Sequence, residues 1–388
     1  MLLSLTCTLA ASCVDASVKC PELSVAAQRH GDASRALGQC LDRVPAGGRL
    51  NLKPAIYRLS QPVTISKPVT ISTLGISDSS RGCAQKREGA CAILLLAPDS
   101  RTFLPKAMPI TVRANGVSFM HLVIRGSGSG PAQDKYCLSG ATRPSGGGVR
   151  VSASGFTLRK SMIERTTCYT ALEVTKGARN LTIADNVIGP NGDHSANQTV
   201  ADGVTIHDAI NATVSGNTFI DNTDVQLIFG GCQNCSVVSN RLRHSGRFSG
   251  ASFAGLMLQS WPSTSGDFTG TVVRSNDVDC GSHRRCGYGI MIGSTPWHHG
   301  RAEGGQVIGN SVSNAQIGIN VDTLSGPMEI RSNSVRNAGG LFNSDCGFRK
   351  WPAVNIAPRS NAFVRGQPSG AAVGSVDTTH CLLNRRKP

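Results

Sequence analysis

Three observations predict an all-β chain folded as one right-handed parallel β-helix. Short segments of alternating apolar residues recur and end in Asn at positions 186, 217, 240, 276, 310 and 333, spaced 31, 23, 36, 34 and 23 residues apart. Each recurrence sits near a second short strand, such as 171–174 (ALEV), 202–206 (DGVTI), 225–229 (VQLIF), 255–259 (GLMLQ), 289–292 (GIMI) and 318–321 (GINV). The composition is strand-and-turn material: 44 Gly, 39 % hydrophobic residues and only 16 % charged ones, which excludes a coiled coil and a long disordered chain. Two or three short strands in a unit of about 23 residues cannot bury a face alone, but stacked coils can. A propeller blade needs roughly 40 residues. Asn suits a turn repeated in every coil, because it tolerates the left-handed conformation and its side chain can pair with the backbone or with the Asn of the next coil.

Taken in order, residues 1–17 (MLLSLTCTLAASCVDAS) read as a signal peptide, an apolar run ending in small residues, although its first residues carry no Lys or Arg. Residues 18–60 read as an N-terminal cap. Within it 31–44 (GDASRALGQCLDRV) is amphipathic at helical spacing and suits covering the open edge of the first coil. The solenoid is expected over 61–365 and a C-terminal tail over 366–388. No run of 18 apolar residues follows the N-terminus, so no helical membrane span is expected.

Outside the leader there are 12 cysteines, and sequential pairing is the simplest framework: Cys20–Cys40, Cys83–Cys91, Cys137–Cys168, Cys232–Cys235, Cys280–Cys286 and Cys346–Cys381. It implies an oxidising compartment, secreted or periplasmic. Cys232 and Cys235 form a CxxC, but no second CxxC exists to complete a zinc site.

The stretch 45–71 (PAGGRLNLKPAIYRLSQPVTISKPVTI), with the helix before it, resembles the opening of the pectate-lyase-like β-helix superfamily. There a capping helix precedes a Gly-Gly turn, a strand, a Pro-x-x-Tyr strand and the first coils. The resemblance extends through the coil repeats to about Phe363. It implies the fold. For activity it leaves a range: polysaccharide lyases, glycoside hydrolases, uronate epimerases, phage depolymerases and non-enzymatic adhesins.

Chemistry is expected where the longest insertions border one strand row, the row beginning at Asp202. If Val204 and Ile206 face inward, Gly203, Thr205 and His207 face outward. Asp202 and Asp224 are nearly one coil apart, so their carboxylates are expected roughly 5–8 Å from each other. That spacing suits an acid/base pair on a sugar or a Ca²⁺ site. The segments VADG (200–203) and DNTD (221–224) resemble the paired-Asp coils of polygalacturonase-type hydrolases. GYGIMIGS (287–294) resembles the Gly-His-Gly strand of that family, with Tyr288 where the His is expected.

The expected catalytic set is therefore Asp202, His207, Asp224, Arg243 and Tyr288, with Asp202 and Asp224 also the candidate Ca²⁺ ligands. Arg284, Trp297, His298, Arg301 and Asp322 are the expected substrate-binding residues. Trp beside Arg suits a sugar ring carrying a carboxylate. The net charge of +15 comes from 29 Arg and 10 Lys against 24 acidic residues, and a cationic groove attracts a polyanion. Nucleic-acid folds and stacking platforms are absent. The expected partner is an acidic polysaccharide, engaged by a monomer. β-Elimination is the leading reaction; hydrolysis, C5-epimerisation and binding without catalysis are the alternatives.

Overall fold

The computed structural model describes residues 18, 20–85, 89–97, 108–128, 147–194, 200–293, 299–366, 373–379, 381 and 383. Nearly every strand pairs in parallel, and the strands assemble into three long sheets of 11, 10 and 12 members. Each coil contributes one strand to each sheet, so the chain is a parallel β-helix, as expected. Among the described residues no helix is long and apolar enough to cross a membrane.

The core is a set of stacks. Val149, Leu172, Val204, Leu227, Leu256, Ile290, Ile319 and Val354 are successive register partners and are all fully buried. Two residues on, Val151, Val174, Ile206, Phe229, Leu258, Ile292 and Val321 form a second inward stack. Each such side chain contributes about 1.5–3 kcal/mol on burial, and the two-residue period puts the residues between them on the outer face.

The six repeat Asn residues are buried in one column. Each from Asn186 to Asn310 donates its Nδ2 to the Oδ1 of the next Asn at 2.9 Å. The backbone N–H of each also donates to that same Oδ1. The left-handed turn residue is not the Asn but its predecessor: Asp185, Gly216, Ser239, Ser275, Gly309 and Ser332 all have positive φ. The Asn is retained for its side chain, which satisfies buried backbone donors that no strand reaches.

At the N-terminus, helix α1 (Pro21–Gln28) precedes helix α2 (Ser34–Arg43), the helix expected from the amphipathic stretch. Leu37, Cys40 and Leu41 of α2 cover the first coil. Asp32 accepts the Ser34 N–H and anchors the start of α2. Cys20–Cys40, Cys83–Cys91, Cys232–Cys235, Cys280–Cys286 and Cys346–Cys381 pair sequentially, as expected. Cys168 is also disulfide-bonded, and Cys137 lies outside the described residues.

Candidate active site

The 12-stranded sheet carries the site. Its central strands are the longest in the molecule, Ala201–Ile210 and Val225–Gln233. Strict alternation breaks at their start. Gly255, Gly289 and Gly318 occupy equivalent places in three successive coils and face inward. A Cβ there would lie within 2.5 Å of Val278, Val312 and Val335 on the facing sheet. Gly203 holds the matching place one residue before Val204, where a Cβ would meet the Gln226 carbonyl. The local bulge turns the residue before each glycine outward. Asp202 and Thr205, three residues apart, therefore reach the same pocket, contrary to the alternation expected from the sequence.

That pocket has a volume of about 270 Å³. Asp202, His207 and Asp224 line it together with Tyr169, Thr205, Ile228, Met257, Gln259 and Trp261. Behind the lining residues Tyr169 and His207 stands a carboxylate outside the expected set. Glu173 is register partner to Thr205 and is 3 % exposed. Its Oε2 accepts Arg150 Nε at 2.5 Å. Its Oε1 accepts both the Tyr169 hydroxyl, at 2.5 Å, and His207 Nε2, at 3.1 Å. Burial raises the Glu173 pKa, but hydrogen bonds from His207, Tyr169 and Arg150 outweigh it and hold the group at about 2. Glu173 is thus ionised and only accepts, so His207 Nε2 is the donor to it. A buried carboxylate orienting an imidazole is the geometry a general base requires.

Trp261 forms the side wall, edge-on to His207 with ring centroids 5.1 Å apart. Its loop is pinned by Asp208, whose Oδ1 accepts the Ser265 N–H and hydroxyl. A ring against Trp261, with Ile228 and Met257 beyond it, makes an apolar platform suited to a sugar face.

Asp202 is 6 % exposed, and its two oxygens are engaged: Oδ1 accepts the Val225 N–H at 3.0 Å, Oδ2 the Thr205 hydroxyl at 2.8 Å. Its register partner is Val225, so Asp224 lies one residue out of register with it. Asp224 is half-buried at the pocket edge. The pair does not fit a Ca²⁺ site, which takes six to eight oxygens. Among the described residues the only three-ligand cluster is Cys20, Glu22 and Cys40, and those cysteines are disulfide-bonded.

The remaining expected residues lie elsewhere. Arg243 is on the 10-stranded sheet and pairs at the surface with Asp277 at 3.4 Å. Tyr288 is fully buried and donates its hydroxyl to the Cys381 carbonyl at 3.3 Å. Arg284 donates to the carbonyls of Ala315, Asn337 and Gly339, holding loops together. Asp322 is fully buried and accepts Arg359 Nε at 2.8 Å along with donors from Thr378 and Thr379. Arg301 is exposed; its N–H donates to the Ser260 hydroxyl, next to Trp261. Trp297 and His298 lie outside the described residues.

Behind the pocket wall, Ser252 Oγ lies 2.5 Å from His244 Nε2, and His244 Nδ1 lies 3.4 Å from Asp221. The order Ser–His–Asp suggests a nucleophile, but Ser252 is fully buried and also donates to the Asn222 carbonyl. Asp221 accepts both the N–H and the hydroxyl of Ser245. Burial raises the Asp221 pKa and bonds from His244 and Ser245 lower it further, leaving it below the usual carboxylate range. This network anchors the 243–252 loop.

No family model and no curated protein sequence matches this chain. Solved structures do. A polygalacturonase from Erwinia carotovora ssp. carotovora superposes with a TM-score of 0.59 at 12 % identity, covering 89 % of this chain and 94 % of that one. An alginate lyase from Paenibacillus sp. str. FPU-7 superposes with a TM-score of 0.54 at 12 % identity, covering 79 % and 95 %. The chain spans 59 % of the length of the Dettilon tailspike protein, at 13 % identity and a TM-score of 0.49. At these identities the likeness is one of architecture. The chain is a right-handed parallel β-helix with the pectate-lyase-like fold.

Proposed function

We propose that this protein is a secreted or periplasmic enzyme that cleaves an acidic, uronate-containing polysaccharide by β-elimination. The observation that carries the reading is the Arg150–Glu173–His207–Tyr169 network beside an apolar, Trp-walled pocket. Elimination needs a base for the C5 proton, a cation for the uronate carboxylate and a proton for the leaving oxygen. His207 Nδ1 is the base, oriented through Nε2 by Glu173. Arg150, whose side chain is 29 % exposed and which bonds the same Glu173 carboxylate, is the cation for the uronate carboxylate. Tyr169 shares Glu173 Oε1 with His207 and is the nearest proton donor for the leaving group. Asp224 orients sugar hydroxyls at the rim. Five sequential disulfides support an oxidising compartment. The shared fold of a polygalacturonase and an alginate lyase supports a polysaccharide substrate.

Hydrolysis by an Asp202–Asp224 pair is the second reading, favoured by their common pocket but opposed by the two hydrogen bonds that hold Asp202. The deciding experiment mixes the protein with a panel of polyuronates. Ultraviolet absorbance from unsaturated uronate ends supports elimination. New reducing ends without that absorbance assign hydrolysis. A change in C5 configuration without cleavage assigns epimerisation, and binding without any of these assigns a carbohydrate-binding role.

A further inference from the structure

One outward column runs unbroken along the site sheet: Thr64, Thr111, Arg150, Glu173, Thr205, Ile228, Met257, Met291, Asn320 and Asn355 are successive register partners. A polysaccharide lying along a solenoid groove would follow such a column. Its exposure falls in one direction. Thr64 is exposed, Thr111 and Arg150 are half-buried, Glu173, Thr205 and Ile228 are 3 %, 7 % and 8 % exposed, Met257 is 1 % exposed, and Met291, Asn320 and Asn355 are fully covered, so the fall is overall rather than step by step.

The cover is the C-terminal segment. Asn320 Nδ2 donates to Thr378 Oγ1 at 3.0 Å, and Asn355 Nδ2 to the Val376 carbonyl at 2.7 Å. Strand Val373–Gly374 pairs with Val354–Ile356. Trp351, Cys381 and Leu383 pack with Tyr288 and Met291 in one apolar cluster. That cluster also contains Ile228 and Met257, with Trp261 at its edge, and all three line the pocket. The Cys346–Cys381 disulfide fastens the cover to the hairpin Gly340–Phe342/Arg349–Trp351. Among the described residues the groove therefore opens toward the N-terminal coils and is stopped beyond Met257.

We infer that the protein engages its polysaccharide at a chain end, with the terminal sugars seated against Met257 and Trp261 and the rest of the chain leaving past Arg150 toward Thr64. A chain passing through in both directions would have to displace a segment held by hydrogen bonds, an apolar cluster and a disulfide. This inference rests on the proposed polysaccharide substrate, and it adds the mode of attack.

The test has two arms. In the first, viscosity and new chain ends are followed together on a long polyuronate. Chain-end action releases short products while viscosity falls slowly; a rapid viscosity drop with long products, from an active enzyme, overturns this inference and leaves the substrate reading standing. In the second, binding stoichiometry is measured by calorimetry on the same polymer with the His207→Ala protein, which needs no turnover. One protein per chain is expected, and affinity that stops rising with oligosaccharide length once the pocket is filled. Many proteins along one chain overturns the inference. Neither turnover nor binding overturns the substrate reading and this inference with it. The double variant Cys346→Ser/Cys381→Ser, checked for a native melting transition, is expected to shift products toward internal cleavage several-fold. An active, folded double variant with an unchanged product pattern shows that the cover does not set the mode of attack.

Discussion

The outer face of the site sheet carries buried carboxylates in both of its halves, and they do different work. Glu173 and Asp322 are each almost fully buried and each paired with an arginine. Around Glu173 the other donors are a histidine and a tyrosine, both of which line an open pocket. Around Asp322 they are the hydroxyl of the adjacent Thr323 and, from the covering segment, the backbone N–H of Thr378 and the hydroxyls of Thr378 and Thr379. Both stand on the outer face of one sheet, Asp322 two residues beyond Asn320 in the next outward column. What differs is whether the groups facing the carboxylate can move a proton to something outside. Burial and an ion pair alone therefore do not mark a site; a titratable partner facing a cavity does.

The sharpest way to test this contrast is to remove the proton carrier. His207→Ala is expected to lower the rate on a polyuronate by about 10²–10⁴, the range for a lost general base. His207 also donates to the buried Glu173 carboxylate and packs against Trp261, so some loss of melting temperature accompanies the change and the rate is read per folded molecule. Asp322→Ala should do the reverse. It strands Arg359 and the Thr378 donors, costing roughly 1–3 kcal/mol, while the rate per folded molecule stays within a few-fold. An inactive but fully stable Asp322→Ala protein would erase the distinction between the halves.

Acid should find the open half first. Glu173 has a folded pKa of about 2 against an ordinary 4.5. Its stabilisation is therefore present above about pH 4.5 and is lost as pH falls through the folded value. The displacement corresponds to about 3 kcal/mol. Urea unfolding followed from pH 6 to pH 2.5 should show wild-type stability dropping over this window, and Glu173→Gln should lack that part of the drop. Because Glu173 stays ionised, it should add no acid limb to the rate profile above pH 4.5.

Much of this comparison could be read from the sequence, up to a physical limit. The Asn column, the capping helix and five disulfide pairs follow from local pattern and spacing. So does the outward face around His207. The same alternation in the two preceding coils, 149–151 (VRV) and 171–174 (ALEV), turns Arg150 and Glu173 outward as well. Two features were not legible. The inward glycine before Val204 shifts Asp202 by one position, and only close approach of the facing sheet explains it. The cover over Tyr288 and Asp322 comes from residues 56 to 93 positions later in the chain, with no repeat or motif to announce it. Outward-facing side chains follow from strand period, but what lies over them does not.

A milder perturbation belongs to neither half. Asn240→Ala breaks the column shared by six successive coils, removing bonds to Asn276 and the Val214 carbonyl and the acceptor for Asn217. Leaving those buried groups unpaired should cost roughly 1–3 kcal/mol. The product pattern should be unchanged, since neither pocket nor cover is touched.

The smallest effect is expected at Arg243, which the sequence places near the groove as a cation for the substrate carboxylate. It stands instead on the 10-stranded sheet, its side chain 44 % exposed, 3.4 Å from an Asp277 that is 43 % exposed. An exposed pair of this kind contributes about 0.2–1 kcal/mol and is screened by salt. Arg243→Ala should therefore leave the rate and KM on a polyuronate unchanged, whereas Arg150→Ala, which frees a buried Glu173 oxygen beside the base, should raise KM and lower the rate together. Equal losses in the two variants would mean that the long-range field of the basic surface governs substrate capture. In that case both losses would vanish at high ionic strength, while a defect at Arg150 that survives salt would place the carboxylate contact on the open half of the sheet.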